Sequence, residues 1–510
     1  MAILEPIEPS PRGRRRLRVK SPATLKVLGE VEIQSAEDVG QALERARKAQ
    51  PEWAGTSFSQ RRRILERAAR LLVDRQDEFL DVLIGETGKP RQEALAVEIL
   101  AACDALQFHA KRARQVLAEH TIPLHLLKTK KLCISYRPLG VVGIVTPWNF
   151  PFLLSLNPTV QALAAGNAVL LKPSEVTPFS GQLVATLLHA AGVPQDVLQV
   201  LTGDGQTGEA LVEVGVDKLS FTGSVATGRR VAEACARRLV PCTLELGGKD
   251  PLIVCADADL ERAAAGAVYG AFANAGQVCV STERVFVVDS VADAFLRKVV
   301  EKTARLRQGP GGEADVGAII HAPQLDIIEE HVGEALARGA RLLCGGRRHP
   351  GYPGLYYEPT VLDEVTPDML VAREETFGPV LAVLRVADEE EALRLANDTH
   401  YGLSASVWTR DKRRGAALAR RIQAGSAVVN DCMLTYGIPE APFGGRKDSG
   451  IGQVNGDVGL RSYCHAQSIV IDRLGSKNEF LWFPYTARMG RWLGRILRLL
   501  WGTRLARFLS

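Results

Sequence analysis

Cys279 stands at the end of Gly276-Gln277-Val278-Cys279, where small neighbours leave a thiol open to a substrate. A thiol attacks carbon as its thiolate, and at an unshifted pKa of ~8.5 only a few per cent is ionised at neutral pH. The alternative is a buried cysteine acting as a small hydrophobe. Glu245 opens Glu245-Leu246-Gly247-Gly248-Lys249 at the end of an apolar run, where parallel sheets carry their active sites. It reads either as a general base or as an ordinary salt-bridged carboxylate. Asn149 lies in Pro147-Trp148-Asn149-Phe150-Pro151, just after another apolar run. Two prolines stiffen that turn, and a fixed amide is a competent oxyanion donor; the alternative is a packed aromatic turn. Lys172-Pro173-Ser174-Glu175 follows the same pattern, and a Lys and Glu there could hold the hydroxyls of a ribose. Gly203-Asp204-Gly205-Gln206-Thr207-Gly208 fits the Gly-x-Gly-x-x-Gly dinucleotide fingerprint. The acid expected about 20 residues on is missing, because Gly228, Arg229 and Arg230 occupy that region. A plain glycine-rich turn explains it equally well.

These residues need a scaffold. Over 38–116, Ile64, Leu65, Ala68, Leu71 and Leu72 recur at helical spacing with charged residues between them. From 140 short apolar runs appear: Val141–Val145, Ala168–Leu171, Val197–Leu201, Leu219–Phe221 and Thr243–Leu246. Segments of helical length separate them, which indicates a parallel sheet covered on both faces. The alternation resumes at Leu252–Cys255, Val285–Val288 and Leu381–Leu384, so the fold class is α/β with two such units joined near 247. The segment 121–137, with Lys128, Lys130 and Lys131, reads as an exposed hairpin.

At 510 residues the chain is too long for one core, and two or three domains are expected. Nine scattered cysteines read as thiols of a reduced compartment. No histidine or cysteine cluster has metal-ligand spacing, so no metal is expected. No apolar stretch reaches the roughly 20 residues of a membrane span, and no secretory signal is visible, which implies a cytoplasmic protein. The net charge is +5, but the last thirty residues hold six arginines and no acid, so the other 480 residues sum to −1. A nearly neutral body argues against nucleic-acid binding. A second basic patch, Arg12, Arg14, Arg15, Arg16, Arg18 and Lys20, reads as an exposed tail.

Taken together, these motifs resemble the aldehyde dehydrogenase superfamily from about residue 18 to about 475. Lys172 follows Asn149 by 23 residues, and Cys279 follows Glu245 by 34. Between and beyond them stand Phe221-Thr222-Gly223-Ser224, Glu374-Glu375-Thr376-Phe377-Gly378-Pro379 and Pro442-Phe443-Gly444-Gly445 in family order. The resemblance implies that Cys279 is the nucleophile, that Asn149 and the Cys279 N–H hold the oxyanion, and that Glu245 activates the hydrolytic water. Relatives that pass the acyl group to coenzyme A generally lack this Glu, so a free acid is the implied product. The implied cofactor is NAD, with NADP as a second candidate. Lys172 and Glu175 would clamp its adenosine ribose, with Gly205 and Gly208 beside the adenine. Phe221, Thr222, Gly223 and Ser224 would begin the helix that faces the pyrophosphate. Glu375 and Phe377 would hold the nicotinamide ribose and ring, and Thr146, Pro147, Trp148, Ser174, Leu246 and Gly247 are further implied cofactor-binding positions.

The resemblance divides the chain into an NAD-binding, Rossmann-like domain (18–120 and 138–247) and a catalytic α/β domain (248–463). A small β-extension (121–137 and 464–476) would join subunits into a homodimer or homotetramer. Many relatives carry a Lys nine residues after the Asn; here Pro158 stands there, as in relatives acting on fatty or aromatic aldehydes. The expected substrate is an apolar medium- or long-chain or aromatic aldehyde. A polar semialdehyde is the alternative, and an inactive membrane-associated scaffold is the reading from another class. In the tail, 484–510, Arg488, Arg491, Arg495 and Arg498 fall within an arc of about 80° on a helical wheel. Met489, Leu493, Ile496, Leu497 and Leu500 fall opposite, with Trp492 and Trp501 at the flanks. Gly502 would end this helix and Arg504–Leu509 would continue it as a second piece. A basic amphipathic helix of this kind suits a membrane surface; packing on a partner subunit or over a substrate tunnel is the alternative.

Overall fold

The computed structural model describes residues 5–7, 15–311, 313–479 and 481–502. Two mainly parallel sheets carry the molecule, and the site lies where the ends of one meet the starts of the other. The first has the spatial order Gly450–Ile451, Cys242–Glu245, Lys218–Thr222, Val141–Val145, Ala168–Lys172, Leu198–Val200. All its pairings are parallel except that of Gly450–Ile451. Its central strands are apolar on both faces because helices cover both, as with the wholly buried Ala168–Lys172. Ser35 and Ser57 start two of these helices, Ala36–Gly55 and Phe58–Asp74, with capping boxes to Asp38 and Gln60.

The second sheet runs Arg341–Cys344, Thr360–Asp363, Val380–Val386, Thr282–Val288, Asp250–Val254, Ser406–Trp408, Val428–Val429, with only the first strand antiparallel. Thr360–Asp363, Ser406–Trp408 and Val428–Val429 are too short to stand out in the hydropathy pattern. Each sheet has its own hydrophobic core, one drawn mainly from residues 39–246 and one from 252–422. A third sheet, of His120–Ile122, Lys130–Pro138 and Cys464–Asp472, is antiparallel, as the exposed-hairpin reading of 121–137 requires.

The basic N-terminal patch is not all tail. Arg16–Lys20 is the middle strand of an antiparallel sheet, between Glu5–Ile7 and Val27–Glu32. Leu17 and Val19 alternate into the core while Arg16 and Arg18 pair with Glu30 on the neighbouring strand. The run of arginines masked a period-two pattern. Arg12 and Arg14 lie outside the described residues, as does the stretch Arg504–Leu509.

The chain passes from the first sheet to the second through Leu246-Gly247-Gly248-Lys249 alone, between the strands Cys242–Glu245 and Asp250–Val254. Asp250 pairs with Thr282, the first residue of the neighbouring strand, so Cys279 arrives three residues before that strand begins. The carboxyl ends of first-sheet strands therefore face the amino ends of second-sheet strands. The former placement is the usual one for ligand sites in parallel sheets.

Candidate active site

Glu245 ends its strand with a buried side chain, and neither carboxylate oxygen has a hydrogen-bond partner among the described residues. Burial pushes its pKa well above the ordinary carboxylate range. Three residues on, Gly248 lies so close to the thiol loop that a β-carbon there would sit 2.5 Å from the Cys279 carbonyl oxygen. Cys279 is partly exposed and packs, as do Phe150, Met433 and Tyr436, against a buried apolar cluster of Val278, Val280, Leu403, Phe443 and Val454. Burial, then the carboxylates of Glu375, Asp250 and Glu245, push its thiol pKa up, and the Val280 N–H pulls the other way. The charges that move this sulfur most are thus all acidic.

The loop before Cys279 is bent by three successive residues in the left-handed region, Asn274, Ala275 and Gly276, at φ of 50°, 54° and 73°. A non-glycine residue rarely adopts that conformation, and two in a row mark a site held by its surroundings. At Gly276 the surroundings are also tight, since a β-carbon would come within 2.0 Å of the Gly378 carbonyl oxygen. Asn274 is the clamp. Its amide donates to the carbonyls of Asn149 (3.0 Å) and Gln277 (3.1 Å), and its own N–H donates to buried Glu93 at 2.5 Å. Burial raises Glu93 to about 7. Asn149, itself buried, donates through Nδ2 to the Gln277 carbonyl at 3.0 Å. A second Nδ2 hydrogen remains for an oxyanion.

The Asn149 turn is anchored from beneath. Glu98, on a π-helical turn over Leu95–Leu100, accepts the Leu153 N–H at 2.8 Å at the start of the helix Leu153–Ala165. The same carboxylate pairs with buried Lys89 at 2.8 Å, and that ammonium lies 4.1 Å from the Phe150 ring centroid. Such π-turns are frequent at functional sites. Pro158 lies inside the same helix, so no lysine stands at that point of the site.

The residues expected to hold a dinucleotide line the same junction. Lys172 is buried and its Nζ lies 2.9 Å from Glu175 Oε2, just past the strand Ala168–Lys172. Ser174 Oγ fixes the turn by accepting the Val176 N–H at 3.2 Å, and Thr146 Oγ1 bonds Ser155 Oγ at 2.7 Å. Gly208, on the helix Gly205–Glu213, faces Lys172 closely enough that a β-carbon would stand 4.0 Å from its Cε, while Gly205 faces open space. Phe221 and Thr222 finish the strand Lys218–Thr222 and do not begin the helix as expected. Gly223 makes the turn and Ser224 is the N-cap of Val225–Arg238, accepting the Thr227 N–H at 3.3 Å. Its exposed N-terminus is a ready anion site. Across the junction, Glu375 Oε1 accepts the Gly248 N–H at 2.9 Å, and a β-carbon on Gly247 would lie 2.3 Å from Glu375 Oε2. Phe377 meets the Trp148 ring edge-on at 5.4 Å, with Pro147 and Leu246 on the adjoining loops. Lys172, Glu175, the glycine faces and the free helix start fit an extended dinucleotide.

Several further side chains support the site, most from outside the motifs at the strand ends. Glu283 accepts the Thr376 and Phe377 N–H groups at 2.8 and 2.9 Å and pairs with buried Lys249 at 2.5 Å, which holds the Glu375 loop in place. Burial lowers the Lys249 pKa. Arg284 donates to the carbonyls of Lys249, Leu395 and Ala396. Of these, only Lys249 stood in a motif already singled out.

A model of the aldehyde dehydrogenase family matches residues 9–469. The chain belongs to the aldehyde dehydrogenase family. It is accordingly an oxidoreductase, and its two sheets are the Rossmann-like cofactor unit and the catalytic α/β unit of that fold. A Mycolicibacterium smegmatis protein provisionally named succinate-semialdehyde dehydrogenase (NADP+) is 40% identical over 466 residues, 91% of this chain and 90% of that protein. A Methylomonas 4,4'-diapolycopene aldehyde oxidase is 39% identical over 470 residues, 92% of this chain and 88% of that one. Among aldehyde dehydrogenases of known structure, the Mycobacterium tuberculosis enzyme in complex with NAD+ has a TM-score of 0.87 at 35% identity, covering 90% of this chain and 95% of its own. An NAD-dependent one from Sinorhizobium meliloti has a TM-score of 0.88 at 37% identity, covering 93% and 94%.

Proposed function

We propose that this aldehyde dehydrogenase oxidises an apolar aldehyde to its carboxylic acid through a covalent intermediate on Cys279, with NAD as hydride acceptor. The observation that carries the substrate class is the wall around the sulfur. Phe150, Met433, Tyr436 and Cys279 all pack on the apolar cluster of Val278, Val280, Leu403, Phe443 and Val454, and among the described residues the groups that shift the thiol include no cation to attract an acidic substrate. Burial holds both the Cys279 thiol and the Glu245 carboxyl toward their neutral forms, so the thiol proton passes to solvent before sulfur attacks, and Glu245 acts as a base only once ionised.

Sulfur then bonds to the carbonyl carbon, and the Asn149 amide and the Cys279 N–H take the oxyanion. A nicotinamide held by Leu246, Gly247, Glu375 and Phe377 would supply the hydride acceptor when the thiohemiacetal on Cys279 collapses. The remaining thioester is hydrolysed by water that Glu245 deprotonates. Lys172, Ser174 and Glu175 hold the adenosine ribose, and the Glu175 carboxylate favours a 2′-hydroxyl over a 2′-phosphate by charge. Thr146–Trp148, Gly205 and Gly208 would flank that half, Thr222–Ser224 would lie by the pyrophosphate, and Leu246, Gly247, Glu375 and Phe377 would hold the nicotinamide half. The domain limits of the sequence reading are kept: 18–120 with 138–247, and 248–463. The extension 121–137 with 464–476 joins subunits, since Cys464–Asp472 is an edge strand with Val470 and Ile471 exposed. The chain works at a membrane surface that it reaches through 484–510.

NADH formation with decanal, hexanal and succinic semialdehyde tests this reading. Decanal is expected to give the highest kcat/KM, and Cys279→Ser to abolish turnover with all three. A preference for succinic semialdehyde would overturn the apolar assignment in favour of the second reading, which the name of the smegmatis relative supports. A preference for NADP would overturn the role given to Glu175.

A further inference from the structure

The helix Ala487–Trp501 ends the described chain, and none of its residues is buried. Thr486 caps it by accepting the Met489 N–H at 3.2 Å, and the Gly502 N–H closes it on the Arg498 carbonyl at 2.9 Å. Arg488, Arg491, Arg495 and Arg498 are all exposed along one side. On the other side Leu497 remains 56% exposed and Met489, Leu493, Ile496 and Leu500 are half-buried, with exposed Trp492 and Trp501 at the margins. The approach to the helix is equally unusual, since Trp482, Phe483 and Tyr485 are exposed in succession. Exposed Leu481, Trp482, Phe483, Tyr485, Trp492, Leu497 and Trp501, gathered in one segment of a folded chain, mark an interaction site.

Charge decides the partner. No Asp or Glu follows Glu479, and six arginines do. A second copy of this chain offers little to match them, because its first 480 residues sum to −1. The helix has 15 residues, about 22 Å at 1.5 Å per residue, against the ~30 Å of a bilayer core. No helix among the described residues is long and apolar enough to cross a membrane. A basic face, an apolar face and tryptophans between them suit a helix lying flat at the boundary of headgroups and acyl chains.

We infer that Ala487–Trp501, with the aromatic approach Leu481–Tyr485, docks this enzyme flat on an anionic bilayer surface. The inference rests on the proposed reading of an enzyme for apolar aldehydes, because such substrates partition into the bilayer and reach a surface-bound enzyme from it. Arginine supplies the attraction to acidic headgroups, and Trp492, Leu497 and Trp501 supply the insertion.

Sedimentation of the full chain with vesicles tests this. The protein is expected to co-sediment with phosphatidylcholine vesicles containing about a third phosphatidylglycerol, and not with pure phosphatidylcholine. Raising the salt concentration should weaken binding, as screening requires. Each headgroup-facing arginine contributes roughly fivefold, so Arg491→Glu with Arg495→Glu should weaken binding by at least tenfold. Trp492→Ala should weaken it at every salt concentration. Equal binding to both vesicle types would overturn the headgroup assignment, and no binding to either would overturn the inference altogether. Loss of a dimer or tetramer in the double variant, without vesicle binding in the parent, would place the face on a second copy and also overturn it. Hexanal oxidation is followed in the same samples. If vesicles bind but Cys279 supports no turnover, the enzymatic reading fails; if turnover holds without binding, only the surface fails.

Discussion

The two sides of Cys279 are built in opposite ways. On the oxyanion side, Asn149, Asn274, Gln277 and Glu93 form one continuous set of hydrogen bonds between 2.5 and 3.1 Å. They impose a backbone that two residues would otherwise avoid. On the water side, Glu245 is as deeply buried, yet both its oxygens lack a partner. An oxyanion forms at one point in space, so its donors are useful only if they are fixed beforehand. A base that must take a proton from water after the hydride has left gains from a carboxyl that no hydrogen bond ties down.

If the comparison holds, the two sides fail differently. The largest effect is expected on the water side. Glu245→Gln should slow deacylation by roughly 10²–10⁴ while the first burst of NADH survives; stopped-flow absorbance separates the two. Equal loss of both phases would break the distinction. Next, Asn149→Ala should lower the burst itself by roughly 10²–10³ with little change in the affinity for NADH, read by its fluorescence. A smaller effect is expected one bond further out. Glu93→Gln keeps an acceptor for the Asn274 N–H but loses its charge, and should lower the burst about tenfold, the factor that ~1.4 kcal/mol makes. It should leave KM for NAD unchanged.

The smallest is a slope. A carboxyl whose pKa is raised by burial gains its basic form as pH rises. Deacylation should therefore increase up to tenfold per pH unit below the raised value and level off above it. In Glu245→Gln the carboxyl that produces this slope is gone and the profile should be flat.

Much of the site could be read from the sequence because its residues end apolar runs. Lys172 and Glu245 end first-sheet strands and Asn149 follows one, and such ends are where parallel sheets carry chemistry. The supports were not legible for a physical reason. Glu93 meets Asn274 across 181 positions, and Glu283 meets Phe377 across 94, so no local spacing announces either contact. Arg16–Lys20 failed in the other direction: its composition looked like a tail, and only pairing on both edges revealed a strand. Phe221–Ser224 reads as the start of a helix, but Phe221 and Thr222 finish a strand and Ser224 caps a helix that begins at Val225, a shift of four residues.

The central claim is that one sulfur carries the acyl group. Mass spectrometry of Glu245→Gln, quenched within the first turnover with decanal and NAD, tests it most directly. The account predicts one decanoyl adduct per chain, on the peptide that contains Cys279, together with one equivalent of NADH. NADH formed without an adduct, or an adduct on another cysteine, would contradict it.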